Sequence, residues 1–130
     1  AAAWRCVQPG DCNMSYIDGY VIPVKTDDAE AYRAFATKYA PLFKQYGATR
    51  VVESWGDDVP NGEVTDFFRA VNAGEGETVV FSWVEWPDKK TRDDGMARAM
   101  EDPAFAEEGV QMPFDGKRMI MGSFSVIVDE

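Results

Sequence analysis

The segment Thr78–Trp86, TVVFSWVEW, constrains this chain more than any other. Its β-branched and aromatic residues mark a strand, and along a strand side chains alternate between the two faces of a sheet. Val79, Phe81 and Trp83 fall in one row; Val80, Val84 and Trp86 fall in the other. Both rows are apolar. An antiparallel sheet with one solvated face shows polar residues on that side, so this strand needs cover on both. A chain of 130 residues makes one domain of ordinary size. Its sheet must therefore lie between two layers.

The rest of the chain supplies three more strands and two main helices. Tyr16–Val24 reads as a strand through Ile17, Tyr20, Val21, Ile22 and Val24, with Pro23 near its end. Thr26 or Asp27 is placed to cap a helix. Along it Tyr32, Phe35, Tyr39, Leu42 or Phe43, and Tyr46 recur at three- and four-residue spacing. Pro41 is expected to kink or split this helix, and Gly47 to stop it. Thr49–Trp55 is the second strand. A polar stretch from Gly56 to Asp66 leads into Phe67-Phe68, and Ala73–Glu77 is a turn. Pro87-Asp88 opens the second helix, which runs through Arg98 and Met100 despite Gly95 until Asp102-Pro103 ends it. A helical turn at Ala104–Glu108, a loop at Met112–Gly116 and a last strand at Lys117–Val128 complete the order.

This β-α-β-β-α-β order is the ferredoxin-like α+β plan, with both helices on one face of an antiparallel sheet. Two helices cover only that face. The other is expected to meet a second copy, sheet against sheet, in a two-fold homodimer. The competing cover is the long middle segment or the leader. Residues 1–13, AAAWRCVQPGDCN, show no periodicity and are expected to be a leader or cloning remnant, outside a single domain of residues 14–130. Cys6 and Cys12 both fall there, so the expected domain has neither cysteine nor histidine.

Charge and composition narrow the function classes. Lys plus Arg is 13 against 23 Asp plus Glu, a net charge of −10. Nucleic acid and anionic membrane are not expected partners, because phosphate binding needs clustered cations. No apolar run approaches the ~18 residues of a membrane span, and a cytoplasmic protein is expected. Without histidine, serine–histidine and cysteine–histidine catalysis are not available. A hydrophobic content of 45% with 13% aromatics is globular.

Several long runs agree, in order and spacing, with one family. Met14–Val21 (MSYIDGYV), Gly47–Asp58 (GATRVVESWGDD), Val59–Gly62 with Val64–Phe67, Thr78–Trp86 and Met112–Ile120 (MPFDGKRMI) resemble the YbaA-like family of uncharacterised bacterial proteins. The resemblance spans Met14 to Glu130. It implies a ferredoxin-like fold of the dimeric α/β-barrel type, in which a pocket lies between sheet and helices. The family is itself of unknown function and carries no catalytic residues over. Relatives of the fold type include cofactor-free oxygenases and isomerases, an analogy at the level of fold alone.

Within those bounds the chemistry falls to carboxylates and aromatics. Glu53 shares a strand face with Trp55, and Glu85 one with Phe81 and Trp83. A carboxylate among indoles would be desolvated and its pKa raised, as a general acid or base requires. Glu53, Glu85 and Asp66 are the candidate catalytic residues; Arg50, Arg69 or Arg118 could instead pair with Glu53 or Glu85 and keep them charged. Asp18 has the same two readings. Tyr32, Phe35, Tyr39, Trp55 and Trp83 are the candidate ligand-binding residues. Asp57, Asp58, Asn61, Gly62 and Asp66 invite a calcium-loop reading, but Val59 and Phe68 stand where oxygen ligands are required. No metal site and no cofactor are expected. The leading expectation is a small apolar or aromatic ligand bound in an aromatic pocket between sheet and helices. The alternatives are a cofactor-independent oxygenase or isomerase using a strand carboxylate, and an acidic protein-interaction module without a pocket.

Overall fold

The computed structural model describes residues 15–106 and 112–130. The leader with its two cysteines, and the end of the expected turn Ala104–Glu108, lie outside the described residues. Two ten-residue strands, β1 (Tyr16–Lys25) and β3 (Glu77–Trp86), form the centre of the sheet. They pair antiparallel from Tyr16 opposite Trp86 to Lys25 opposite Glu77. β2 (Arg50–Trp55) extends β3, with Val51 opposite Val84 and Trp55 opposite Val80. β4 (Ile120–Ser125) extends β1, with Val21 opposite Ile120. The order β2-β3-β1-β4 is the ferredoxin-like α+β arrangement. The sheet of the single chain is open and does not close into a barrel.

β4 begins later than its sequence pattern implies. The Asp115 carboxylate accepts from the backbone N–H of Lys117 at 3.0 Å and from Arg118 Nε at 3.0 Å, and this turn holds Lys117 and Arg118 out of the ladder.

The helices α1 (Ala29–Gln45) and α3 (Lys89–Glu101) lie against one face, a short helix α4 (Pro103–Ala106) follows α3, and another, α2 (Phe67–Ala70), sets Phe67 against Phe81 on the opposite face. Neither Thr26 nor Asp27 caps α1. Thr26 belongs to a 3-10 turn, and its N–H and hydroxyl both donate to the Gly76 carbonyl, tying that turn to the start of β3. Nor does Pro41 split α1, which runs unbroken through it. Pro41 is exposed, so the sheet-facing side keeps its packing. Gly47 ends the helix with φ +117°, a conformation that costs any other residue a Cβ clash.

The buried rows of β1 and β3 are Asp18, Ile22 and Val24, and Val80, Ser82, Val84 and Trp86. Tyr32 from α1 joins Ile22, Val24 and Val80 in one cluster; Ala48 joins Val84 and Trp86 in the other. Gly95 explains itself here. A Cβ at this position would lie 2.5 Å from the Trp86 ring and 2.5 Å from the Tyr46 carbonyl oxygen, so only glycine lets α3 close over the indole. Among the described residues, the opposite face of the sheet stays bare at Phe81, Ile120 and Phe124, while Pro23 and Val79 on it are buried.

Candidate functional site

α1 does not seal against β2. Its side there carries Ala29, Ala36 and Ala40, whose methyl groups leave a cavity of about 410 Å³ between the helix and the sheet. Tyr32, Arg33, Thr37, Val51, Glu53, Ser54, Trp55 and Val80 complete the walls. β2 aims Val51, Glu53 and Trp55 toward the helix because alternate residues share a face. The Tyr32 hydroxyl donates to Glu53 Oε1 at 2.6 Å, and the Tyr32 ring stands 6.2 Å from that of Trp55, tilted by 51°.

Glu53 is exposed toward the cavity mouth, with the Tyr32 and Ser82 side chains against its carboxyl. Desolvation raises its pKa, against the opposing pull of hydrogen bonds from Tyr32 and Ser82. The Tyr32 hydroxyl is raised as well, by burial and by the carboxylate it faces. This is an apolar chamber with one acid–phenol pair at its polar end.

The other candidate residues lie elsewhere. Glu85 is on the bare face, accepting from Trp83 Nε1 at 2.9 Å and paired with Arg50 at 3.5 Å. Asp66 caps α2, accepting from the Arg69 N–H at 2.8 Å and the Gly62 N–H at 3.1 Å, with the Arg69 guanidinium at 2.8 Å. These bonds hold its pKa down at about 2. Glu53, Glu85 and Asp66 therefore do not form one site. Phe35 and Tyr39 turn away from the cavity into a stack with Phe114 and Phe105, Tyr39 lying 5.1 Å from Phe105. Of the five aromatics, only Tyr32 and Trp55 line the helix-side cavity; Trp83 lies on the bare face. Among the described residues, no three of His, Cys, Asp and Glu converge to hold a metal ion, and Asp57, Asp58 and Asp66 do not gather around Glu53.

Asp18 is fully buried and satisfied. It accepts from Arg92 Nη2 at 2.9 Å and Nε at 3.1 Å, from Trp86 Nε1 at 3.0 Å and from Ser123 Oγ at 2.6 Å. Nearby Tyr20 is pushed up to about 12 by burial and by the Asp18 charge. Arg92 was not legible as a partner, since it lies 74 residues from Asp18 within a run of mixed charge. The alanines of the cavity carry a signal that aromatic spacing hides. Ala29, Ala36 and Ala40 are seven and four residues apart and so share one helix face.

At the far end of the sheet Arg118 reaches Glu77 through two bonds, at 2.7 and 2.8 Å. With the Gly74 N–H, this pair holds the Glu77 carboxyl at about 2, below its ordinary 4.5. The folded value is the lower one, so the contribution to stability is present above pH 4.5 and is lost as pH falls toward 2. Urea midpoints measured across that interval should fall with pH, and Glu77→Gln should flatten the fall. An equally steep fall in the variant would remove Glu77 from the account.

Fold and cavity together define a ferredoxin-like α+β domain with a small chamber on the helix side of its sheet. The chain belongs to the family described as "Protein of unknown function (DUF1428)", whose model matches residues 15–116. It is 56% identical over 117 residues to the uncharacterized protein YbaA of Escherichia coli strain K12, a match that covers 90% of this chain and all of the relative. The YbaA protein of Shigella flexneri matches to the same extent. Among solved structures, a dimeric ferredoxin-like protein from an uncultured marine organism superposes with a TM-score of 0.52 at 11% identity, covering 89% of this chain and 99% of that one. At that identity the likeness concerns the fold. No helix among the described residues is long and apolar enough to cross a membrane.

Proposed function

We propose that the chain works as a homodimer and that each copy binds a small molecule in the cavity between α1 and β2. The observation that carries the reading is the Tyr32–Glu53 hydrogen bond of 2.6 Å, set at one end of a chamber otherwise walled largely by alanine, valine and tryptophan side chains. Binding sites of this kind are mainly apolar with a few convergent polar groups. A mere packing defect would give a polar pair no reason to sit in it.

The bare face supports the dimer. Phe81, Ile120 and Phe124 are 47%, 45% and 55% exposed there, beside Ile17, Val21 and Trp83. Among the described residues lining that surface, only Arg50, Glu85 and Asp129 bring charge, although the chain carries −10 overall. Exclusion of charge from an apolar patch is the composition of an interface core. The middle segment covers one corner only, where the Phe67 ring meets Phe81 edge-on at 6.0 Å. A fold neighbour described as dimeric agrees with this assembly.

Filling the chamber tests the ligand reading. Ala40 lines it without joining either buried cluster, so Ala40→Phe should occupy the space at little cost to folding. Small aromatic fragments observed by NMR should shift resonances around Tyr32, Glu53 and Trp55 in the native protein. Their affinity should drop at least about tenfold in the variant. Fragments that bind the filled protein unchanged, or none that bind the native chamber, would overturn the reading.

A further inference from the structure

The carboxylates of the sheet differ in one respect. Asp18 has Arg92, Glu77 has Arg118 and Glu85 has Arg50. Among the described residues, Glu53 forms no salt bridge; it has only the Tyr32 hydroxyl and Ser82. Glu53 is exposed at the cavity mouth, so a ligand entering there meets a carboxylate whose charge no protein cation neutralises among the described residues. The one cation among the described residues that line the cavity, Arg33, has a side chain that is 77% exposed and lies 4.0 Å from Glu30.

We infer that the cavity takes an organic cation: a protonated amine or alkylated ammonium head on a small apolar body. This rests on the reading of the cavity as a ligand site and adds the charge of what fills it. The missing partner of Glu53 is the head group. The Trp55 ring, 37% exposed on the cavity wall, offers the aromatic face that attracts such a head. The methyl groups of Ala29, Ala36, Ala40, Val51 and Val80 suit an apolar body. An alcohol could satisfy one oxygen of Glu53, but it would leave the charge unpaired. A carboxylate ligand would repel it.

Benzylammonium, benzyl alcohol and benzoate have nearly the same shape and differ in charge. Titrated against the folded chain at pH 8 with amide shifts as the readout, the cation should bind at least about tenfold tighter than the alcohol, and benzoate weakest. Glu53→Gln should erase the preference for the cation, while Tyr32→Phe, which keeps the ring, should retain it. The cation's affinity should also weaken as pH is lowered far enough to protonate Glu53, because the neutral acid offers no charge. If the alcohol or benzoate binds the cavity as well as the cation does, the inference about charge fails and the ligand site stands. If all three bind the native protein and Ala40→Phe alike, or none binds, both fail.

Discussion

Arg92→Met is expected to lower the free energy of unfolding by about 3 kcal/mol. Asp18 has no exposed surface, and Arg92 supplies its only positive partner among the described residues. Removing one member of a buried pair strands the other charge, at a cost of about 3–5 kcal/mol. The lower end applies because 21% of the Arg92 side chain is in solvent, so water can reach part of the vacated site. The double variant Asp18→Asn with Arg92→Met should cost less than Arg92→Met alone. It removes the stranded charge and keeps an acceptor for Trp86 Nε1 and Ser123 Oγ. Urea denaturation followed by circular dichroism reads both as shifts in midpoint at constant slope. A double variant less stable than the single one would contradict the pairing.

Phe81→Asp is the second large effect, and it acts on assembly instead of folding. Phe81 is 47% exposed in the single chain, so a polar residue there costs the monomer little. Across a two-fold interface the same substitution enters twice. If each copy loses about 2 kcal/mol, as a central aromatic in an interface does, the dimer constant weakens about a thousandfold. The variant should elute as a single chain with an unchanged circular dichroism spectrum. Phe81→Leu, apolar and smaller, should remain dimeric at the same concentration. A Phe81→Asp protein that keeps the native mass would take Phe81 out of the interface.

Much of this architecture was legible because each strand carries its own signal. The alternation in Thr78–Trp86 separated the two rows, and the burial of Val80, Val84 and Trp86 against the exposure of Phe81 follows it, although Val79 of the Phe81 row is buried as well. Helix ends were less legible. Thr26 has the chemistry of a cap, but Gly76, 50 residues away, takes its hydroxyl. No local pattern announces such a partner. The site was legible in its members and not in its pairing. Glu53 and Tyr32 could both be named, while the bond between them depends on how β2 lies under α1. Phe35 and Tyr39 show the limit of helical spacing, which groups residues on one broad face. Packing then divides that face, sending Tyr32 toward Trp55 and Tyr39 toward Phe105. The ion pair expected for the strand acids is made by Glu85 with Arg50 and not by Glu53, which takes the Tyr32 hydroxyl instead.

One sheet has two apolar faces, the first covered by helices that leave the Glu53 chamber and the second proposed to meet another copy. Light scattering of the native protein on a sizing column, at micromolar concentration, tests this most directly. The account predicts a mass twice the 14.5 kDa of the chain. A protein of single-chain mass under those conditions would contradict it.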